Sequence, residues 1–170
     1  MLTRRTPLRK KRPTPRRTAA RCAYVAPSAK SGRCKRSPYR KGVSYCGTHL
    51  VALIDAEARR RVFERDSDTC QRCGAPGTDW SHFPSRSYRG SRWLLDGAVV
   101  HCRPCHYWLT MRPLEHRAWT VAHFGAERVA EVEALALEVA LGRAKPDLIQ
   151  TATNFGLLAV LAQAREERAK

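Results

Sequence analysis

Two Cys-x2-Cys pairs, Cys70/Cys73 and Cys102/Cys105, stand 28 residues apart, with His82 between them and His106 directly after the last cysteine. A Cys-x2-Cys turn sets two thiolates about a metal ion's width apart, and two such turns complete the closed tetrahedral shell of a structural zinc. Imidazoles can also take a proton from water or hold a divalent ion. The combination fits one structural zinc beside a hydrolytic metal centre.

The other three cysteines form a second set. Cys22, Cys34 and Cys46 have eleven residues between neighbours, and His49 follows Cys46 by three. Three cysteines and a histidine make a closed zinc shell, and so short a segment could hardly fold without metal. The alternative for these residues is a set of free thiols in a basic, unfolded stretch. The stretch is also similar to short phage-type Cys-Cys-Cys-His modules, through "SGRC" and "YCGTH". Seven cysteines, an odd number, suit metal ligation better than disulfides, because a histidine can complete a zinc site.

Charge is distributed unevenly. The chain has 170 residues and a formal charge of +17, and residues 1–49 hold fifteen Lys or Arg with no Asp or Glu. The segment 1–20 is too poor in apolar residues and too rich in proline to fold, so it is expected to be a solvated arm for a polyphosphate such as DNA. Anionic lipid and ribosomal RNA meet the same charge criterion. The apolar stretches are too short, or too interrupted by acids, to span a bilayer, and the N-terminus lacks an apolar export core. No membrane partner is therefore expected.

Elements that could position these groups are legible from periodicity. Val51, Ile54, Ala58, Val62 and Phe63 predict a helix over 50–66. "WSHF" and "AVVHC" read as strands flanking a loop, and Pro104 predicts a helix starting near Arg103. Beyond these, 112–125, 126–142, 146–156 and 157–170 read as helical. Val129, Val132, Leu135, Ala136 and Val139 mark one apolar face. The expected fold class is α+β: a basic arm (1–20), a Cys-Cys-Cys-His module (21–50), a ββα centre (51–112) and a helical C-terminal region (113–170). The last could offer a surface to a second copy or to another protein.

The run from Val62 to Leu109, "VFERDSDTCQRCGAPGTDWSHFPSRSYRGSRWLLDGAVVHCRPCHYWL", resembles the HNH nuclease family with its ββα-metal fold. Its continuation "PLEHRAWTVAHFG" is similar to phage NinG-like recombination nucleases. The resemblance covers roughly residues 60–125. It implies a metal-dependent DNA endonuclease acting on branched or nicked intermediates in the cytosol of a phage-infected bacterial host, with any partner of the C-terminal helices a phage protein. His82 would be the base that deprotonates water, and His106 would hold Mg²⁺ or Mn²⁺. Cys70, Cys73, Cys102 and Cys105 would hold zinc.

Two positions depart from the family pattern. Ser81 stands where many members have an Asp, and Gly97 stands at the position of the central Asn that holds the loop and orients the base. Asp96 is the expected substitute, as a metal ligand or a partner for His82. Arg86, Arg89 and Arg92, interleaved with Tyr88 and Trp93, are expected to grip phosphate, with Trp93 in the core. His101, His116 and His123 are expected to be satisfied surface or core residues outside the active site. The rival readings are a non-catalytic, zinc-stabilised DNA-binding protein and an HNH protein assisting phage DNA packaging.

Overall fold

A computed structural model describes residues 21–22, 24, 34–40 and 43–157. The basic arm, part of the first cysteine segment and the last expected helix beyond residue 157 lie outside the described residues. The fold is α+β, with five α-helices and one two-stranded sheet among those residues.

Helix α1, Gly47–Arg65, links the two cysteine groups. It starts three residues before the apolar pattern, because Cys46 occupies the N-cap and His49 lies in the first turn. Leu50, Ile54, Ala58 and Val62 recur every four residues and are all buried, whereas Val51 and Phe63 flank that row half-exposed. Leu50, Ile54 and Ala58 pack with Trp93 from the inter-strand loop and with Ala152 and Phe155 at the chain's C-terminal side, and Val62 packs with Ala98 and Val100 of the second strand.

Strands β1 (Asp79–His82) and β2 (Ala98–His101) pair antiparallel, with Asp79 opposite His101 and His82 opposite Ala98. Helix α2, Arg103–Thr110, leaves β2 at once from the N-cap Cys102, with Pro104 in its first turn. The sequence reading of this ββα order holds, with boundaries shifted by about one residue. Helix α1 is tied to the sheet by polar bonds as well as packing: Asp66 accepts from the Val100 backbone N–H at 2.8 Å, and Arg65 donates to the carbonyls of Leu95 and Ala98. Gly77 must stay a glycine, since a Cβ there would fall 2.0 Å from Val100 Cγ1.

Helices α3 (Pro113–Phe124) and α4 (Ala126–Ala140) fold back to back around Gly125, whose φ of 89° favours glycine. Val129, Val132 and Ala136 of α4 are buried, but Leu135 is 48% exposed, so the expected apolar face is narrower than the sequence suggested. Helix α5, Leu148–Asn154, is capped by Asp147, whose carboxylate accepts from the N–H groups of Ile149 and Gln150. No helix of the described residues is long and apolar enough to cross a membrane.

Because Ile54 is fully buried between α1, the loop and α5, Ile54→Ala is expected to destabilise the zinc-loaded protein by about 2–5 kcal/mol, read from guanidinium unfolding midpoints.

Candidate active site

The seven cysteines and His49 form two groups, Cys22/Cys34/Cys46/His49 and Cys70/Cys73/Cys102/Cys105, each with ligand atoms within 4.8 Å of one another. Each group can hold a zinc ion. A tetrahedral zinc with Zn–S bonds of about 2.3 Å has S···S edges of about 3.8 Å. Cys73 and Cys102 lie 3.7 Å apart and Cys34 and Cys46 4.0 Å, close to such an edge and far beyond a disulfide bond. In the first group His49 turns Nδ1 toward Cys22 at 3.3 Å and Cys46 at 3.4 Å, and Tyr24 stacks on its ring.

Electrostatics within the second group point the same way. Burial opposes ionisation of Cys70, but backbone N–H groups of Cys102, Arg72 and Cys73 outweigh it and bring the thiol down to about 7. Burial and the neighbouring thiols push Cys105 up to about 12, against the pull of Arg72. Four thiols this close cannot all ionise without a cation among them. One group ties residues 70–73 to the start of α2; the other ties the N-terminal segment to the start of α1.

Between the hairpin, α2 and α3 lies a cleft of about 980 Å³. His82 from the end of β1, Asp79 from its start, His106 and Arg103 from α2, and His116 from α3 line it, together with Arg59 and Arg86. The two histidines singled out by sequence are therefore brought to one cleft. His106 meets Asp79 through Nδ1 at 2.8 Å, and Arg103 holds the other Asp79 oxygen at 3.1 Å. Burial acts against ionisation of Asp79, but the His106 and Thr78 hydrogen bonds and the Arg103 charge outweigh it, so its carboxyl stays below the usual range. A carboxylate acceptor on Nδ1 places the proton there and leaves the lone pair on Nε2.

His82 is buried, and burial lowers its imidazole to about 4; the charges of Arg86 and Arg92 add to this, while hydrogen bonds with the backbone at Trp80 and Arg92 oppose it. It is neutral at pH 7. Its Nε2 is buried without a hydrogen-bond partner, so this imidazole retains an unused proton-accepting or donating atom.

Several expectations are corrected. Asp96 does not line the cleft: the turn Leu95–Gly97 faces α4, and the carboxylate pairs with Arg128 at 3.0 Å. Arg92 is not a free phosphate grip, since both its Nε and Nη2 bind Asp55, at 2.9 and 2.5 Å. Asp55 also accepts from the indole N–H of Trp93, which is buried as expected. Arg86 lies at the cleft and is exposed, whereas Arg89 is exposed on the loop outside the lining. His116, expected to stand apart, lines the cleft with its ring edge-on to Phe83. His101, expected to be satisfied, is fully buried with neither ring nitrogen hydrogen-bonded. His123 stacks on Trp119.

Sequence reasoning missed Asp79 and Arg103. The available signal for Asp79 was register: opposite His101, it stands beside the turn that starts α2. Ser81, where the resemblance leads one to expect an Asp, is buried and outside the cleft lining. At Gly97, a Cβ would sit 3.4 Å from the carbonyl oxygens of Phe83 and Ser91 and 3.3 Å from Val132 Cγ1. A side chain there would reach the loop's carbonyls, but Val132 of α4 already packs against that position.

No family model, curated protein or solved structure matches the chain.

Purified protein is expected to hold two zinc ions per chain. Replacing Cys73 by Ser should reduce this toward one while Cys34→Ser does so independently, as measured by elemental analysis; two zinc ions retained in either variant would contradict the assignment.

Proposed function

We propose that this chain is a metal-dependent endonuclease of HNH type that hydrolyses DNA phosphodiester bonds, similar to phage recombination nucleases that act on branched or nicked intermediates. The observation that supports this reading most is the buried Asp79 on Nδ1 of His106 in the same cleft as the neutral, buried His82. One imidazole is thus oriented and the other is kept uncharged.

The cleft offers one free donor to a divalent ion, since both Asp79 oxygens are taken by His106 and Arg103. His106 offers Nε2, and Asp79 fixes its ring, while among the described residues no third close donor joins them to make a closed shell. A Mg²⁺ or Mn²⁺ ion held by that one imidazole would draw its remaining ligands from water and phosphate oxygens. Bound there, such an ion would stabilise charge developing on the phosphoryl and leaving oxygens.

The chain's own residues supply the remaining roles. His82 accepts a proton from the attacking water, which requires the neutral form that its burial maintains. Arg86, Arg59 and Arg103 flank the cleft with guanidinium groups suited to phosphate. The fifteen basic residues of 1–49 add affinity for a polyanion that falls steeply with salt.

A zinc-stabilised DNA-binding protein without catalysis is the second reading. It is favoured by Gly97 and by the turning of Asp96 to Arg128, which leave neither position a side chain lining the cleft.

Cleavage of matched linear and four-way-branched DNA by zinc-loaded protein should require Mg²⁺ or Mn²⁺ and favour the branch. His82→Ala should lower the rate by about 10²–10⁴-fold while DNA binding persists. The pH profile carries a sign. The folded pKa near 4 lies below the 6.5 of a free imidazole, so the base stays neutral as pH falls through 6.5. The acid limb of kcat/KM should therefore lie well below pH 6. Tight binding with no metal-dependent cutting would favour the second reading.

A further inference from the structure

The outer side of α2 carries a feature that phosphate recognition does not use. Tyr107 is 66% exposed and Met111 is 60% exposed. Arg103, Tyr107 and Met111 follow one another at intervals of four, so they form a row along the helix. That row adjoins His106 and Thr110, which line the cleft. Beyond it stands Trp108, with the guanidinium of Arg72 4.0 Å and that of Arg112 4.8 Å from its ring centroid. Arg72 is held further by a bond to Cys105 Sγ at 3.4 Å. Helix α2 contains no acidic residue.

We propose that this row is a stacking surface for unpaired bases of single-stranded DNA next to the scissile phosphate. The inference rests on the nuclease reading and names its substrate class: DNA with unpaired nucleotides beside the cut. A phenol ring and a thioether exposed in line with Arg103 do not match a phosphate backbone, which arginines alone would hold. They match the flat, apolar face of a base, and an aromatic takes any base because each has a π-face. In a duplex those faces are covered by their neighbours, so only unpaired nucleotides present them. Arg103 within the row, Arg112 next to Met111 in the chain and a helix without acidic residues suit a polyanionic strand better than an apolar protein surface.

The test uses the full zinc-loaded chain without Mg²⁺ or Mn²⁺, so that cleavage does not enter. Fluorescence anisotropy would compare a fully paired duplex with the same duplex carrying a short unpaired gap, for the unsubstituted protein, Tyr107→Ala and Tyr107→Phe. Tyr107→Ala is expected to weaken binding of the gapped DNA by roughly tenfold, within the range for loss of one stacked base, and to change the duplex much less. Tyr107→Phe should restore it, and 2-aminopurine placed in the gap should be quenched by the unsubstituted protein and less by Tyr107→Ala. Equal losses on both DNAs, no loss on either, or unchanged quenching would overturn the proposal and leave the row as a protein-docking face. Selective loss in a chain that cuts no DNA would sustain the stacking surface and remove only the catalytic reading; cutting without selective loss would do the reverse.

Discussion

Four cysteine thiols converge between residues 70–73 and 102–105, and their mutual repulsion as thiolates is relieved only by a cation. The rest of the centre depends on that cluster. The two-stranded sheet is four residues long on each side, too little to be stable alone. A zinc ion there would fix the turn before β1 to the N-cap of α2, and so set the direction in which α2 leaves the hairpin. Both His106 and Arg103, in the first turn of α2, inherit their positions from it. The packing of α1 under the sheet, through Val62 against Ala98 and Val100, supplies the second support.

The loop between the strands is held by side chains from outside the hairpin. Arg92 and Trp93 both bind Asp55 of α1, so one carboxylate anchors the loop's C-terminal half. Gly90 lies against the backbone of Leu135 in α4, where a Cβ would be 2.2 Å from the carbonyl oxygen. Val132 packs at Gly97, and Arg128 takes Asp96. Together these contacts give α4 and α1 the loop-holding task that the family resemblance assigns to an Asn. The C-terminal helices are thus part of the centre's support, which their amphipathic pattern alone did not reveal.

What the sequence made legible follows from local rules. Cysteine spacing found both ligand groups because a Cys-x2-Cys turn is a local structure, and four-residue periodicity found α1 because burial follows the helix repeat. His82 and His106 were singled out by their order relative to the cysteines, and both line one cleft. Asp79 was not, because its role arises from strand register and from a helix that starts 24 residues later. Arg92 was misread for the same reason: its partner Asp55 is 37 residues away, and nothing in a run of arginines tells a half-buried ion pair from a phosphate grip. Leu135 fitted the apolar repeat of α4, yet among the described residues α3 and the inter-strand loop cover a narrower stripe of that helix.

The central claim is that the tetrathiol metal cluster sets the place of His106 on Asp79, in the same cleft as a neutral His82 with a different hydrogen-bonding state. Long-range ¹H–¹⁵N NMR of histidine-labelled protein reads this directly. In zinc-loaded protein, His106 should be the Nδ1–H tautomer, held by Asp79, and His82 should remain neutral at pH 5.5; in Cys73→Ser the His106 signal should revert toward the free-imidazole mixture. An Nε2–H tautomer for His106 in the zinc-loaded chain, or a signal unchanged by loss of the cluster, would contradict the account.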